Sequence, residues 1–595
     1  MATVEDEDSP ADPETASPSE TSLLTEYGID RIVLAVGGIV AFALLLRLFA
    51  LGARVAHWDE ARVGWWILDY IQTGNYEYRP IIHGPFHHHV NKLVFDLFGT
   101  TDASMRLVTA LLGGLLPVTA LGLRHRLRDT EIVALALFLA VNPILLYYSR
   151  FMRGDPIVGV FMFTAFVLLL RAVDFGKARY LFAGVTCTAL AFTAKENAIL
   201  YLVTWVGATA LVVDRRFLTA SDRGEDWKAL ARSYLRPRLD WTRRWAPFLL
   251  LGVVWFVVVI VFFYAPRAGN PGEVGLYNAF GALGNGNTAM LFNVVNEATI
   301  GSWEAFYGLW VEGGHQDHAY LPFLGDYLET MGYGALTLSI LAIVGFLADR
   351  YSDGGPRDVV GFAFYWGFAS VLGYPIVTDI KAPWATIHAI IPLAIPAAVG
   401  LALIFRWGKD AMARDDSVDV GITLLLIMVI VGQIAGAGLW TVYLAPQQDA
   451  NKVVQYAQPG GDLKPTLEEM QAASAGNRGT DVLVYGDFYV DGDTDAVRTP
   501  ACVKWFNALP LPWYFEIHDS QVACAQNGSE LRQKAGSQPP IVIARDKESE
   551  NEPNPAETVA EQFPEYEQRT YELRTYGTET TFFVHPDYAR NESAG

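Results

Sequence analysis

Apolar runs of about 17–25 residues, the length that carries an α-helix across a bilayer, recur about eleven times between Arg31 and Tyr443. They cover roughly 31–51, 104–123, 131–148, 156–173, 179–194, 198–213, 246–264, 327–348, 359–377, 385–405 and 419–443. In hydrocarbon every backbone polar group must be satisfied within the chain, so repeated runs of this length leave one architecture, a polytopic α-helical membrane protein. Among the chain's 595 residues 52% are hydrophobic and 18% charged, which agrees with that architecture.

The charges between the runs set an orientation. Arg124, Arg126 and Arg128 follow the second run, Lys177 and Arg179 the fourth, and Arg406, Lys409 and Arg414 the tenth. The stretch 214–245 is the most basic, with Arg215, Arg216, Arg236, Arg238, Arg243 and Arg244. With the N-terminus inside, all of these fall on the cytoplasmic side, as the excess of Lys and Arg in cytoplasmic loops requires. The expected location is the plasma membrane, with the C-terminal residues outside the cell. Overall the chain is acidic, 64 Asp and Glu against 44 Lys and Arg, and the excess lies in the water-facing parts. Such surfaces repel nucleic acid and suit an organism living in high salt.

Three regions follow from this reading. Residues 1–27 form an acidic tail rich in Ser, Pro and Glu, which reads as disordered and not as a signal peptide. Residues 28–445 form the membrane domain, with long outer loops at 52–103 and 265–326. Residues 446–595 form a soluble outer α/β domain, with strands expected at Asp481–Tyr485, Pro540–Ala544 and Thr580–Val584 and helices at Leu463–Ala473 and Ala556–Gln562. In the first loop, Glu60–Ile71 carries Val63, Trp66, Ile67 and Tyr70 on one face, the pattern of a helix lying at the membrane interface. Phe86–Phe98 is apolar but too short to span and is expected on or dipping into the bilayer. The Gly- and Asn-rich loop 265–326 is expected to be irregular. Cys187 falls in a span, whereas Cys502 and Cys524 share the C-terminal domain as a disulfide or as two free thiols. Asn527-Gly528-Ser529 and Asn591-Glu592-Ser593 are glycosylation sequons.

The unusual polar residues gather at the span ends facing outward. They are Trp58-Asp59-Glu60, His83-Gly84-Pro85, Arg150, Arg153 and Asp155, Lys195-Glu196, and Lys381 through Trp384 to His388. Charge beside a bilayer is expensive, so such a cluster marks a site. Moving a sugar to a hydroxyl or amide needs a carboxylate that positions or deprotonates the acceptor, or that holds a divalent ion such as Mg or Mn; Asp59 and Glu60 are the candidates, with Asp59 the metal ligand. Alternatively Asp59 only caps the helix that starts near Glu60. A sugar leaving a lipid phosphate leaves charge behind, which Arg and Lys stabilise; Arg150, Arg153, Lys195 and Lys381 are the candidates. Otherwise they snorkel to lipid headgroups. His83, His87, His88 and His89 do not form a convincing zinc set, because Pro85 opposes a helix that would align His83 with His87. His83 suits a hydrogen bond to a phosphate or sugar hydroxyl.

An acidic pair after the first span, His-Gly-Pro in the first outer loop, an Arg-rich end to the third span and a Lys-Glu between later spans recur together in one superfamily. The chain resembles the GT-C membrane glycosyltransferases, which include protein O-mannosyltransferases and aminoarabinose transferases. Over nearly its whole length, from His57-Trp58-Asp59-Glu60 through Lys381-Ala382-Pro383-Trp384 and His388, it is similar to the archaeal flippase-activity-associated proteins found with N-glycosylation genes in haloarchaea. The broad resemblance implies inverting transfer from a dolichyl-phosphate sugar to a glycan or protein acceptor, with Asp59 as the acceptor-activating or metal-binding acid. The competing reading is a flippase, or a flippase partner, that moves the lipid-linked sugar without making bonds. Transporters show related halves and broken helices at mid-membrane; the polar groups here sit at one face, which favours the enzyme.

Overall fold

The computed structural model describes residues 30–80, 84–222, 227–270, 272–313, 318–378, 380–490, 502–547, 553–574 and 577–589. The tail 1–27, His83 and the Asn591 sequon lie outside these residues. Among the described residues nine helices are long and apolar enough to cross a membrane: Arg31–Leu48, Asp102–Leu123, Gly154–Phe175, Glu196–Leu218, Leu239–Tyr264, Tyr320–Arg350, Asp358–Val377, Pro383–Ala413 and Ser417–Leu444. Two expected spans complete the bundle in other forms. One is the shorter apolar helix Ala178–Ala194. The other is broken into Asp129–Val141 and Pro143–Tyr148.

The break has a local cause. Pro143 has no N–H, so the carbonyl of Leu139 loses its helical donor. Asn142 leaves the helical conformation, and its side chain accepts from the N–H groups of Ile144 (3.1 Å) and Leu145 (3.2 Å), which caps the second segment. The amide of Ile144 is thereby diverted from Ala140. Arg47 of the first helix donates to the two freed carbonyls, to Ala140 at 2.8 Å and Leu139 at 3.4 Å. In return Arg150, just past the second segment, donates to the carbonyls of Leu46, Arg47, Phe49 and Ala50 at 2.7–3.0 Å. Each broken helix end is thus closed by an arginine from the other strand of the exchange.

Ile387–Ala413 runs through the centre of the bundle and is buried along most of its length. Its close partner is Tyr320–Arg350. A Cβ on Gly345 would meet the Pro396 carbonyl oxygen at 1.9 Å, and one on Gly400 would meet that of Leu341 at 2.4 Å. Small residues bring these two backbones together, as in other membrane bundles. The basic stretch 214–245 is less of a loop than the sequence suggests, because Ile199–Asp222 and Trp227–Tyr264 continue well past their apolar parts. The loop 265–326 is likewise not irregular: it folds into short helices at Leu276–Gly284, Ala289–Asn296 and Ser302–Trp310.

The C-terminal domain carries a five-stranded sheet. Its strands are β1 (Val482–Tyr485), β2 (Val522–Ala525), β3 (Ile541–Arg545), β4 (Glu567–Arg574) and β5 (Gly577–Val584), in the order β2-β1-β3-β5-β4. β1 is parallel to β2 and β3, and β5 is antiparallel to β3 and β4. The inner parallel strands β1 and β3 read as continuous apolar runs because both their faces are covered. Helices Leu463–Gly476 and Pro555–Gln562 fall where expected. Cys502 and Cys524 form a disulfide.

The first-loop helix spans Trp58–Thr73, but its apolar face does not meet lipid. Trp65 and Trp66 pack edge-on to one another, and Trp65 onto Trp505. A Cβ on Gly64 would lie 2.7 Å from the Trp513 ring. Val63, Ile67, Trp513, Leu467 and Phe582 belong to one continuous core, so the C-terminal domain is built onto this helix. The expected interfacial helix is therefore a docking element. Phe86–Phe98 is a helix with Leu93, Leu97 and Phe98 exposed on one edge, while Phe86, Asn91 and Phe95 are buried.

Candidate active site

Asp59 and Glu60 sit in the first turn of helix Trp58–Thr73 and face different surroundings. The cap of that helix is His57, not Asp59. Its Nδ1 accepts from the Asp59 N–H at 2.9 Å, and Glu60 Oε2 accepts from the His57 N–H at 2.9 Å. His57 Nε2 donates to the Tyr456 carbonyl at 2.6 Å. This arrangement needs a neutral ring, and burial pulls the His57 imidazole down to about 4.

Glu60 is enclosed. Its oxygens accept from Arg54 at 3.1 and 3.2 Å, from Arg106 at 2.9 Å twice, and from the Met152 N–H at 2.9 Å. The flanking guanidiniums outweigh burial and hold the carboxyl well below the usual range. Glu60 ties three chain segments together and is 1% exposed; read from sequence as a catalytic partner of Asp59, it is held here as a structural anchor.

The Asp59 carboxylate is 26% exposed where that of Glu60 is 1%. Its Oδ1 accepts from Arg62 at 3.1 Å. Its Oδ2 accepts from Arg153 Nη1 and Gln455 Nε2, each at 3.0 Å. Arg153 then connects Asp59 to a second carboxylate, because its Nε donates to Asp155 at 3.0 Å. Trp384 lies under the Arg153 guanidinium, 3.7 Å from ring centroid to carbon. Asp155 is buried and also accepts from Lys195 Nζ, at 3.0 Å to both oxygens, and from His388 Nε2 at 3.2 Å. His388 is fixed by Tyr201 Oη at 2.7 Å and by stacking on Tyr374. One line of charge thus runs Asp59, Arg153, Asp155, Lys195.

Two glycines bring these pieces together. A Cβ on Gly154 would be 2.5 Å from the Ala194 carbonyl oxygen, and one on Gly84 would be 2.2 Å from that of Thr193. Both loops rest on the end of helix Ala178–Ala194, immediately before Lys195.

The other expected residues lie elsewhere. Arg150 closes the end of the first helix and takes no part in the line. Lys381 pairs with Asp326 at 3.5 Å and Glu329 at 3.3 Å and is not part of the charged line. Glu196 faces behind Lys195 and accepts from Tyr78 (2.7 Å) and Tyr264 (3.2 Å). Reading the sequence missed His57 as the cap, Arg62, Arg106 and Gln455. Gln455 follows the last span with no motif around it, so no local pattern marks it.

A divalent ion does not fit at Asp59. The neighbours of its carboxylate are two guanidiniums and an amide, and the adjacent acid, Glu60, is spent on Arg54 and Arg106. Among the described residues no three His, Cys, Asp or Glu side chains gather to hold a metal.

Residues 82–222 match the family described as dolichyl-phosphate-mannose-protein mannosyltransferase. Residues 463–585 match the Agl23 flippase-associated protein C-terminal domain. No curated protein sequence matches the chain. Among solved structures, ArnT from Cupriavidus metallidurans bound to undecaprenyl phosphate aligns with TM-score 0.50 and 16% identity, over 94% of this chain and 99% of that one. The oligosaccharyltransferase AglB from Archaeoglobus fulgidus, in complex with an inhibitory peptide and a dolichol-phosphate, aligns more loosely, with TM-score 0.47 and 13% identity over 96% of this chain and 76% of that one. The chain is a multi-pass membrane protein with the fold of a GT-C glycosyltransferase, carrying a mannosyltransferase-type segment and an Agl23-type C-terminal domain.

Proposed function

We propose that this protein transfers a sugar from a dolichyl-phosphate carrier to an acceptor at the outer face of the plasma membrane, in the assembly of a surface glycan or glycoprotein. The observation that carries the reading is the accessible Asp59 carboxylate joined through Arg153 to the Asp155–Lys195 pair. It puts a base and two phosphate-seeking cations side by side. The acceptor oxygen attacks the anomeric carbon while the bond from that carbon to the phosphate oxygen breaks. The electron pair leaves with dolichyl phosphate, the acceptor proton passes to Asp59, and attack from the opposite face inverts the configuration. Arg153 and Lys195 stabilise the departing phosphate. Asp155 and Trp384 keep both cations oriented, with His388 behind Asp155. No metal step is assigned. ArnT was solved with undecaprenyl phosphate, which supports a polyprenyl phosphate as the carrier class.

The decisive assay incubates purified protein with dolichyl-phosphate mannose and measures release of dolichyl phosphate. Wild type is expected to release it, and Asp59→Asn to be slower by roughly a hundredfold or more with unchanged melting, since an amide cannot take the proton. Normal release by folded Asp59→Asn removes the acid from the mechanism. The flippase reading is kept alive by the flippase-associated match over 463–585. It predicts transbilayer movement of the lipid in vesicles with no dolichyl phosphate released.

A further inference from the structure

The protein opens into a cleft of about 270 Å³, lined by Ile380, Lys381, Pro383, Asp449, Lys452 and Tyr456 among others. Two of its lining residues are chain neighbours of groups that hold the charged line. Pro383 precedes Trp384, the ring beneath Arg153. Tyr456 gives its carbonyl to His57, and its neighbour Gln455 bridges to Asp59.

The cleft's chemistry is mixed. Lys381 and Lys452 both approach Glu329, at 3.3 and 3.6 Å, and Lys381 also approaches Asp326. Asp449 adds another acid to the wall. These side chains are about one-third to one-half exposed, and ion pairs so exposed are weak enough for a ligand to displace. Two cations answered by three carboxylates do not favour a multiply charged anion. A set of donors and acceptors in alternation matches hydroxyl groups, each of which gives one hydrogen bond and accepts others. Tyr456, an exposed residue at 48%, offers an aromatic ring suited to the C–H face of a pyranose.

We infer that this cleft is the acceptor subsite and that it takes a saccharide, so that the acceptor is a sugar hydroxyl held by Lys381, Lys452 and Tyr456 next to Asp59. The inference rests on the transferase reading for the word acceptor but not for the binding itself. The side chains of Lys381 and Lys452 determine affinity for the sugar, and the connector after the last span forms the wall they share with the base.

The experiment uses full-length protein in nanodiscs and titrates methyl α-D-mannoside, methyl β-D-glucoside and methyl β-D-glucuronide by saturation-transfer NMR. At least one is expected to bind, with half-saturation rising about tenfold or more in both Lys452→Ala and Lys381→Ala. Lys409→Ala, at the opposite end of helix Ile387–Ala413, is expected to leave it unchanged. Absence of binding to wild type, or half-saturation in the two cleft variants equal to that of wild type, overturns the inference. Release of dolichyl phosphate from dolichyl-phosphate mannose is followed in the same preparations. Release without cleft-dependent binding overturns the saccharide subsite and spares the transferase; cleft-dependent binding without release does the reverse.

Discussion

Arg150 and Arg153, three positions apart, perform unlike tasks, and their variants separate the two. Arg150→Ala removes a donor from four carbonyls at the end of the first helix; Leu46 keeps the Tyr443 hydroxyl and Ala50 the Ala53 N–H, while those of Arg47 and Phe49 depend on Arg150. Buried carbonyls without donors cost about 1–3 kcal/mol, so this variant is expected to lower the melting temperature. Arg153→Ala leaves that helix end intact and removes the link between Asp59 and Asp155. Protein that remains folded is expected to lose roughly a hundredfold or more in dolichyl phosphate release, a loss that folded Arg150→Ala protein does not show. The reverse pattern would exchange their roles. His57 gives a prediction in pH. Its ring titrates near 6.5 when exposed and at about 4 in the folded protein. Between these values the unfolded chain holds a proton that the folded one refuses, so stability present above about pH 6.5 falls as the pH drops towards 4, by about 3 kcal/mol. Comparing thermal melting at pH 7.5 and 5.0, His57→Gln should show a smaller drop than wild type. An equal drop would mean that His57 is not held neutral.

Among the elements, helix Ala178–Ala194 has the most influence on the site for its length. The two glycine contacts at its end hold the 84 and 154 loops against Lys195. Gly154→Ala must push the Arg153–Asp155 turn away from the Ala194 carbonyl. It is expected to cost about tenfold or more in dolichyl phosphate release, because displacement of about 1 Å costs that much, with the fold retained by circular dichroism. Unchanged release would show that the loop gives way at no cost. Elements of this kind were only partly legible in the sequence. Helical spans announce themselves through length and apolar content, and β1, β3 and β5 through dense apolar runs. β2 is four residues long, and β4 is an edge strand of alternating charge (Glu567, Arg569, Glu572, Arg574), so neither stands out. Helix Trp58–Thr73 was visible, but its partner was not: an apolar stripe rich in Trp reads the same whether lipid or another domain covers it.

At the scale of the molecule, we propose from the Lys and Arg asymmetry that the C-terminal domain lies outside. The test is Ser537→Cys with Cys187 replaced by Ala and the Cys502–Cys524 disulfide kept. An impermeant maleimide is expected to label this protein in intact cells, and labelling only after lysis would reverse the topology. The site was legible as a set of residues and not as an arrangement. Asp59, Arg153, Asp155, Lys195, Trp384 and His388 do come together, drawn from four stretches of chain. Arg150, Lys381 and Glu60 looked equivalent to them because sequence records that a charge lies near the membrane surface but not which way it points. The connector adds a condition of timing. Gln455, the Tyr456 carbonyl and the Trp513 wedge against Gly64 all follow the last span. The ribosome has made every membrane helix before it reaches any of them. A nascent chain therefore carries Asp59 and Arg153 through most of its synthesis without the parts that aim them, and the centre becomes competent only when the last quarter of the polypeptide has been made and folded back onto the first loop.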